Sequence, residues 1–502
     1  SMSLRRYDLQ QYIHLLDEQQ LIQYIQADQN ALEREVEHLS YDSRDMKPGG
    51  LFICKGTHFL PRYLQEAVDR GAFCYISEKE YDLSGKDVAM ILVTDIRKTM
   101  ALLANRFYNE AWEQLNLIGI TGTKGKSTTT YYVKYILDHY LSASGKPPCA
   151  ILSGIDVDDG VISEESHLTT PEAVMLHRHF RNAVDSGREF LTMEVSSQAL
   201  KYDRTAGVVF DVGCYLNVAE DHISPIEHCD FDDYFESKLR LFSQCRTACI
   251  NIDADHAQEV CDSVDPAARI ITFGTNDKAD IYGHRIISRK DGIDFEVKTP
   301  TFEKKFKLGM TGLFNVDNAL AAIAICYALG IPEESMYHGL AAARVPGRME
   351  LFMGKQSGTL VIVDYAHNRM SFDRLFRSTI KEYPDRHIIA VFGCPGKKAL
   401  ARRQELAEIA GRYSAKVYIT EEDPGEEDVM DICLEIAKNL RKTGCPYKIE
   451  PDRGEAIRKA IGEAGEDTVI LLTGKGRETR QKRGVEYIDC PSDVDYVLQY
   501  LK

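Results

Sequence analysis

The chain has 502 residues, which is too long for one compact core, and typical domain sizes predict about three to four domains. With 44% hydrophobic and 27% charged residues, it has the composition of a soluble globular protein, and it contains no run of about 18 apolar residues that would predict a membrane span. The formal net charge of −16 disfavours nonspecific binding to nucleic acid, which needs a surplus of lysine and arginine.

Cysteine usage and the N-terminal segment predict a cytoplasmic protein. The thirteen cysteines are an odd number with one close pair, Cys245 and Cys249, and without a CxxC motif. This pattern favours reduced thiols over a disulfide framework or a zinc site. The N-terminal segment is polar and has no apolar stretch of signal-peptide length.

Apolar, β-branched runs alternate with segments of helical period along the chain. They lie at residues 88–93, 115–120, 190–195, 209–216 and 269–273, and then at 360–363, 388–392, 416–419 and 469–472. Such alternation predicts an α/β fold with parallel sheets and crossover helices. Residues 283–309 instead have short alternating runs that are typical of an antiparallel edge. We place domain boundaries near residues 113 and 345, which gives domains at 1–113, 114–345 and 346–502.

The strongest local motif follows the run at 115–120 and opens a helix-compatible segment. Its residues are Gly122, Thr123, Lys124, Gly125, Lys126, Ser127 and Thr128. Glycines let a backbone wrap closely around phosphates, Lys126 would neutralise phosphate charge, and Ser127 is suited to bind Mg²⁺. Ile120 stands where the general phosphate loop has its first glycine, which indicates a subclass distinct from kinases and GTPases. The alternative is a glycine-rich turn beside a surface lysine.

Polar residues follow the next two apolar runs, where open α/β sheets bind ligands. Glu194 ends one run, and Asp221 and His222 follow the other after a short turn. Taken alone, Glu194 could cap a helix and His222 could be an ordinary loop histidine. Together with the hydroxyl of Ser127, they favour a magnesium site beside bound ATP.

Nine segments in a fixed order carry a family resemblance. They lie at residues 122–127, 169–172, 193–197, 217–222, 234–242, 312–318, 345–350, 363–367 and 474–478. With Tyr41 to Arg44 before them, they resemble the Mur ligases over essentially the whole chain. Within that family the chain is most similar to the branch that adds the third amino acid of the peptidoglycan stem peptide.

The resemblance implies three domains: one for the uridine nucleotide, a central ATPase, and a Rossmann-like C-terminal domain that closes over ATP and brings the amino acid. It implies that ATP phosphorylates the D-glutamate carboxylate of UDP-MurNAc-L-Ala-D-Glu, and that the amine of a diamino acid attacks the acyl phosphate. The implied cofactors are ATP and Mg²⁺, and we expect a monomer that binds neither nucleic acid nor membrane.

The resemblance also implies roles for single residues. Ser127, Glu194 and His222 correspond to magnesium ligands, and Lys238 corresponds to a lysine that is carbamylated in the family; without its motif, Lys238 would be read as a helix-surface lysine. The positions around the nucleotide are Asn315, Asn318, Arg348, Asp364 and His367. The positions around the UDP-substrate are Ser43, Arg44, Thr169, Thr170, Ser197, Gln198 and Arg204. Gln198 stands where the family more often has histidine. The alternative for the threonine and serine residues of this set is that they are core-facing strand residues without a substrate contact.

The positions implied for the incoming amino acid are Arg403, Glu422, Asp423, Gly474 and Glu478. Family members that use meso-diaminopimelate carry Asp-Asn-Pro-Arg where this chain has Glu422, Asp423, Pro424 and Gly425. The missing arginine and the acidic loop favour L-lysine, with meso-diaminopimelate next. The alternative is that the acids form a solvated loop that starts a helix.

Three other functions remain open from the sequence. A folylpolyglutamate synthase would share the ligase chemistry, but residues 41–44, 345–350 and 364–367 argue against it. A non-catalytic paralogue would be expected to lack some of Lys126, Glu194, His222 and Lys238, and all four are present. An ordinary phosphate-loop kinase predicts a single domain.

Overall fold

The computed structural model describes residues 4–56, 58–83, 85–218, 230–289, 292–310, 312–346, 349–397 and 399–502. The predicted site residues His222 and Arg348 lie outside these ranges. The chain forms two compact units. The first comprises residues 1–283, 298–302 and 317–339, and the second comprises residues 284–297, 303–316 and 340–502.

The elements of the first unit alternate between strand and helix. In chain order they are α1 (Leu9–Glu18), β1 (Ile22–Gln26), α2 (Gln29–Glu33), β2 (His38–Ser40), β3 (Gly50–Ile53), α3 (Pro61–Asp69), β4 (Ala72–Ser77), β5 (Ala89–Val93), α4 (Ile96–Phe107), β6 (Asn116–Thr121), α5 (Lys126–Ser142), β7 (Ala150–Leu152), β8 (Asp156–Asp158), β9 (Ser163–Glu165), α6 (Ala173–Asp185), β10 (Phe190–Glu194), α7 (Ser197–Lys201), β11 (Phe210–Tyr215), α8 (Phe231–Leu239), β12 (Cys245–Asn251), α9 (Ala257–Ser263) and β13 (Arg269–Gly274).

Four of the next elements have residues in both units: β14 (Ile281–Arg289), β15 (Gly292–Lys298), α10 (Phe314–Ala328) and α11 (Glu333–Ala342). Strand β16 (Glu303–Leu308), which follows β15, belongs to the second unit. The rest of the second unit contains β17 (Glu350–Met353), β18 (Leu360–Asp364), α12 (Arg369–Glu382), β19 (His387–Phe392), α13 (Arg402–Tyr413), β20 (Ser414–Ile419), α14 (Val429–Arg441), β21 (Tyr447–Ile449), α15 (Arg453–Glu463), β22 (Thr468–Thr473), β23 (Arg480–Arg483), β24 (Glu486–Asp489) and α16 (Asp493–Tyr500).

Two sheets build the first unit. The five-stranded sheet has the order β1-β5-β4-β3-β2, with β1 antiparallel to β5. In the second sheet, β6 lies between β10 and β11, and all three are parallel. Every residue of β6 after Asn116 is buried, as expected for a parallel strand covered on both faces. Gly119 has no room for a side chain, because a Cβ there would lie 2.7 Å from the ring of Phe210.

The six-stranded sheet of the second unit has the order β17-β18-β22-β19-β20-β21, and β18, β22, β19, β20 and β21 are parallel. Alternate strand residues belong to two separate cores. One core packs against α12, α13 and α14, and the other against α15 and α16. Helices therefore cover both faces, and the carboxyl ends of the parallel strands are left to carry loops.

The predicted α/β fold is confirmed, and each named run is a strand whose ends agree within two residues. In the 11-stranded sheet that contains β6, strands β14, β15 and β16 lie at one end of the strand order, as predicted for residues 283–309. Their antiparallel pairing stays a prediction. Among the described residues, no helix has both the length and the apolar character needed to cross a membrane. The boundaries near 113 and 345 stay predictions.

Candidate active site

The loop between β6 and α5 depends on two glycines. Gly125 precedes the helix with a φ of +89°, and a Cβ built on it would collide with the side-chain amide of Asn318. A Cβ on Gly122 would lie 2.9 Å from the Cβ of Leu216. Both positions therefore require glycine, and the backbone can follow a tight path into the helix N-terminus.

Asn217 holds the loop in place. Its Oδ1 accepts hydrogen bonds from the backbone N–H groups of Thr123 at 2.9 Å and Lys124 at 3.0 Å, and its Nδ2 donates to the carbonyl of Lys124 at 2.9 Å. The hydroxyl of Thr123 lies 2.7 Å from that of Tyr234. The loop is therefore pre-organised from the end of the neighbouring strand β11, and sequence reasoning did not assign this role to Asn217.

Ser127 and Glu194 come together as predicted. The Ser127 hydroxyl donates to Oε2 of Glu194 at 2.7 Å, and the backbone N–H of Gly154 donates to the same oxygen. Glu194 ends β10 and is buried, which raises its pKa, although these two hydrogen bonds and the charge of Lys126 act in the opposite direction. A hydroxyl beside a carboxylate is a donor pair suited to Mg²⁺. Across the ranges that the structure describes, no group of three metal-binding His, Cys, Asp or Glu side chains occurs.

Thr169 lies near Ser127 and Glu194, beside Gly154, a glycine that sequence reasoning missed. A Cβ built on Gly154 would lie 3.4 Å from Oε2 of Glu194, 3.5 Å from Oγ1 of Thr169 and 3.6 Å from Oγ of Ser127. These three side chains therefore surround one small space that Gly154 leaves open. No motif marked Gly154, because it follows the short strand β7 and belongs to none of the nine segments.

Lys126, which is partly buried, and Lys238, which is buried, are close enough for the charge of Lys126 to act on Lys238. Lys126 donates to the carbonyl of Gly122 at 2.6 Å, and burial lowers its pKa while Glu194 opposes the shift. Lys238, on α8, is 1% exposed, and its Nζ lies 4.6 Å from the ring centroid of Tyr234. Burial first, and then the charge of Lys126, hold the pKa of Lys238 well below its usual range. No carboxylate of the described residues forms an ion pair with Lys238, so its amine favours the neutral form.

Thr170 and Arg204 flank the start of α7. The Thr170 hydroxyl donates to the carbonyl of Glu194 at 2.9 Å and accepts from the N–H of Ser196 at 3.0 Å. Arg204 donates to the carbonyl of Thr170 at 2.9 Å and pairs with Glu172 at 3.4 Å. Ser196 caps α7, which begins at the predicted Ser197 and contains Gln198.

Ser43 and Arg44 lie in a separate hydrogen-bond network in the five-stranded-sheet region. Ser43 is buried and donates to Oε2 of Glu66 at 3.1 Å. Arg44 is exposed and makes two hydrogen bonds to Asp42, at 3.0 and 2.9 Å. Among the described contacts, none joins this pair to Thr170.

In the second unit, Asp364 ends β18 with one carboxylate oxygen unused. Its Oδ1 accepts from the N–H of Ala366 at 2.7 Å, whereas its buried Oδ2 has no hydrogen-bond partner among the described residues. Burial raises the pKa of Asp364 to about 6. Burial also lowers the pKa of His367 to about 4, and the His367 Nδ1 lies 2.9 Å from the carbonyl of Tyr365. Asn315 is buried at the start of α10, while in the first unit Asn318 accepts from Thr129 at 3.2 Å.

The acidic loop after β20 is mostly neutralised by the chain's own cations. Arg483 binds both oxygens of Glu421, at 2.6 and 3.2 Å. Asp423 accepts from Lys475 at 2.8 Å and from the N–H of Lys482 at 2.8 Å. Asp428 caps α14, as expected for a loop that starts a helix.

Glu422 differs from its neighbours. It is 8% exposed, and its side chain makes no hydrogen bond or ion pair with the described residues. Burial raises its pKa to about 7, with Asp423 adding to the shift and Arg453 and Lys475 opposing it. Gly474 has a φ of +96°, and a Cβ there would collide with Oε1 of Glu422. Glu422 is therefore the acid of this loop that keeps a buried, unshared carboxyl group.

Glu478 and Arg403 both have protein partners. Glu478 accepts from Arg344 at 2.6 Å and pairs with Lys475 at 2.7 Å; burial opposes ionisation, but these two cations outweigh it and lower the pKa of Glu478. Arg403 is buried between Glu427 at 2.7 Å and Glu435 at 2.6 Å. Sequence reasoning missed these carboxylate partners of Arg403, because they follow it by 24 and 32 residues.

Comparison with known proteins adds family information to this geometry. Residues 120–326 match the Mur ligase middle domain, and residues 347–476 match the Mur ligase glutamate ligase domain. A UDP-N-acetylmuramyl-tripeptide synthetase of Lactobacillus delbrueckii subsp. bulgaricus is 37% identical, over 94% of each chain. A UDP-N-acetylmuramoyl-L-alanyl-D-glutamate--L-lysine ligase of Enterococcus faecalis is 38% identical, over 93% of this chain and 91% of that protein.

Solved structures agree with the fold. A UDP-N-acetylmuramoyl-L-alanyl-D-glutamate--2,6-diaminopimelate ligase has a TM-score of 0.59 and 23% identity, over 99% of both chains. MurF from Acinetobacter baumannii has a TM-score of 0.52 and 20% identity, over 94% of this chain and 96% of that chain. At this identity the likeness shows a shared architecture.

Proposed function

The chain belongs to the Mur ligases, and on that premise we propose that it is the MurE-type, ATP-dependent ligase that joins L-lysine to UDP-MurNAc-L-Ala-D-Glu in peptidoglycan synthesis. The observation that carries the proposal is identity of 37% and 38%, over more than nine-tenths of the chain, to a tripeptide synthetase and an L-lysine ligase. Meso-diaminopimelate is the next candidate amino acid.

The chemistry follows from the poor reactivity of a carboxylate toward amines. One oxygen of the D-glutamate carboxylate attacks the γ-phosphorus of ATP, ADP leaves, and an acyl phosphate forms. The amine of the amino acid then attacks the acyl carbon, loses a proton, and inorganic phosphate leaves. Such transfer depends mainly on positioning and on neutralising charge.

The phosphate loop supplies those two requirements. Lys126 and the first-turn amides of α5 would hold the ATP phosphates, with the Thr123–Asn217 contacts fixing the loop. The residues that fit Mg²⁺ are Ser127 and Glu194, and the ion, when bound, offsets negative charge on the phosphates. His222 as a further ligand stays a prediction from the family resemblance.

Lys238 is proposed to be carbamylated. A neutral amine can add CO₂ and release one proton, which converts the lysine into an anionic oxygen donor. Its burial, its lowered pKa and its nearness to the charge of Lys126 support a neutral amine. The resulting carbamate would place negative charge near the partly buried Lys126.

The two substrates are assigned to different groups. Thr169, Thr170, Ser197, Gln198 and Arg204 are proposed for the muramoyl-dipeptide, and Ser43 and Arg44 for the uridine diphosphate. Glu422 is proposed to receive the side-chain ammonium of L-lysine, because it is the buried acid of its loop that forms no ion pair with the described residues. Asp364 and His367 remain proposed nucleotide contacts, since Oδ2 of Asp364 could accept a ribose hydroxyl.

A cytoplasmic monomer with domains at 1–113, 114–345 and 346–502 remains part of the proposal.

Phosphate release measured with ATP, Mg²⁺, UDP-MurNAc-L-Ala-D-Glu and each candidate amino acid tests this function. We expect release only when the nucleotide substrate and an amino acid are both present, together with a nucleotide product heavier by one amino-acid residue. Phosphate release that is independent of the UDP-substrate would refute the proposal.

A further inference from the structure

A buried arginine ties together two loops of the second unit. Arg453, the first residue of α15, is 3% exposed. Its guanidinium donates to the carbonyl of Glu421 at 3.0 Å and to the carbonyl of Thr473 at 2.7 Å. These carbonyls immediately precede Glu422 and Gly474, which are two of the positions assigned to the incoming amino acid.

The two loops are not held together by direct strand pairing. Thr473 ends β22, Glu421 follows β20, and β19 lies between these strands in the sheet. A planar guanidinium with five donors can bridge two such carbonyls in a fixed geometry, which a single ammonium cannot reproduce. Arg453 therefore joins the backbones of the two loops across the carboxyl end of the sheet, beside the side-chain ion pair of Lys475 and Asp423.

Asp493 fixes the orientation of this guanidinium. It accepts from Nε at 2.7 Å and from Nη2 at 2.8 Å, and it is 1% exposed at the first position of α16. The neighbouring Gly454 allows α16 to come close, because a Cβ there would lie 2.7 Å from the ring of Tyr496. The carboxylate also neutralises the buried cation, so the bridge is a complete polar network.

We propose that Arg453, oriented by Asp493, is a positioning residue that sets the distance between Glu422 and the loop from Gly474 to Glu478, and thereby the affinity for the incoming amino acid. The inference rests on the proposed function for the identity of that ligand. Arg453 donates to the backbone carbonyls beside Glu422 and Gly474, which are positions assigned to the amino acid. We therefore expect a change at Arg453 to alter the affinity for the amino acid and not the affinity for ATP.

Arg386 provides a matched control at the opposite end of the same sheet. It also bridges two carbonyls, those of Gly358 at 2.9 Å and Thr468 at 2.8 Å, and Thr468 begins β22. A substitution of Arg386 removes the same kind of hydrogen bonds at the amino end of β22, whereas Glu422 and Gly474 lie at the carboxyl end of the sheet. The pair Arg453→Lys and Arg386→Lys therefore separates positioning of the loops from general loss of stability.

The test is steady-state kinetics of the full chain with each substrate varied in turn. For Arg453→Lys we expect KM for the amino acid to rise about tenfold, with KM for ATP and for the UDP-substrate within about twofold of wild type. Arg386→Lys should leave all three KM values within about twofold, whatever its melting temperature. Equal rises in the three KM values, or the same amino-acid effect in Arg386→Lys, would overturn the inference.

Asp493→Asn carries the same test if Arg453→Lys does not yield folded protein. The asparagine keeps the shape of the carboxylate and one of its acceptor oxygens. We therefore expect a smaller rise in KM for the amino acid, with the other two KM values unchanged. An unchanged KM for the amino acid would overturn the inference. The amino acid that is varied is whichever one the wild type ligates. A wild type that prefers an amino acid other than L-lysine would therefore refute the proposed specificity and leave the positioning test intact.

Discussion

The phosphate loop in the first unit and the acidic loop in the second unit concentrate charges of opposite sign. The phosphate loop has the partly buried Lys126, with the buried Lys238 of α8 near it, and burial lowers the pKa values of both. The acidic loop gathers carboxylates and neutralises most of them with its own cations, as Lys475 does for Asp423. In each loop, a charged group that forms no ion pair with the described residues is the one that we assign to chemistry or binding.

This difference teaches that the number of charges in a loop does not measure the charge available to a ligand. Glu421 and Asp423 are both acidic in sequence, yet Arg483 and Lys475 compensate them. Glu422 stands between them without such a partner among the described residues. The first two predictions below test the phosphate loop, and the other three test the acidic loop.

The largest expected effect is that of Lys126→Ala. The loop backbone and its Asn217 contacts remain, but the cation that faces the transferred phosphoryl group is lost, so we expect kcat to fall about 10³-fold or more. Phosphate release measures the effect, and circular dichroism checks the fold. Lys146→Ala, which removes an exposed ion pair with Glu189 at 3.1 Å, is the control. Wild-type turnover in Lys126→Ala would contradict the phosphate-loop assignment.

Lys238→Arg should lose about 10²-fold in kcat, because a guanidinium cannot form the carbamate. Added bicarbonate should not restore activity. The wild type should show a carbamate carbon by NMR after labelling with ¹³C-bicarbonate, and the variant should not. Lys201→Arg, next to α8 in an ion pair with Asp233 at 2.8 Å, is the charge-conserving control. Full activity of Lys238→Arg would remove the carbamate from the mechanism.

Glu422→Gln should reduce kcat/KM for L-lysine by about tenfold or more, since a charge-assisted hydrogen bond contributes about 1.5–3 kcal/mol. Asp423→Asn should have a smaller effect, because Lys475 already pairs with Asp423. Steady-state kinetics of the two variants side by side gives the comparison. A larger loss in Asp423→Asn than in Glu422→Gln would reverse our assignment of the acceptor.

The pH dependence provides a second check on Glu422. Its pKa is raised to about 7, so the carboxylate that binds an ammonium forms as pH rises through that value and is lost below it. The ratio of wild-type to Glu422→Gln kcat/KM should therefore increase by up to about tenfold between pH 6 and pH 8. Use of the ratio cancels the titration of the amino-acid amine. A constant ratio would mean that Glu422 does not receive the ammonium.

The smallest expected effect is that of Gly425→Arg. A side chain at this position has room, since the nearest atom to a built Cβ is the carbonyl oxygen of Gly484 at 3.8 Å, although the φ of +61° disfavours it. A cation here should raise use of meso-diaminopimelate relative to L-lysine by about fivefold, as expected for a partly solvated ion pair. Gly425→Ala carries the same backbone strain without the charge. Equal ratios in the two variants would exclude a charge effect.

The α/β fold, the strand runs and the Ser127–Glu194 pair could all be predicted, because each depends on contiguous patterns or on the rule that parallel strands expose their carboxyl ends together. The ion-pair partners of the acidic loop could not be predicted from the sequence. Asp423 and Lys475 are 52 residues apart, and Arg403 and Glu435 are 32 residues apart, so only the folded sheet brings them together. Gly154 was missed for a related reason, since its importance lies in the space that it leaves beside Glu194.

The central claim is that an acidic loop without an arginine at position 425, in which Glu422 forms no ion pair with the described residues, makes this chain an L-lysine ligase. Equimolar competition between L-lysine and meso-diaminopimelate, with ATP, Mg²⁺ and UDP-MurNAc-L-Ala-D-Glu, tests it directly by the mass of the nucleotide product. We predict that the lysine adduct dominates by about tenfold or more, as one uncompensated charge contact would produce. A product that carries mainly diaminopimelate would contradict the account.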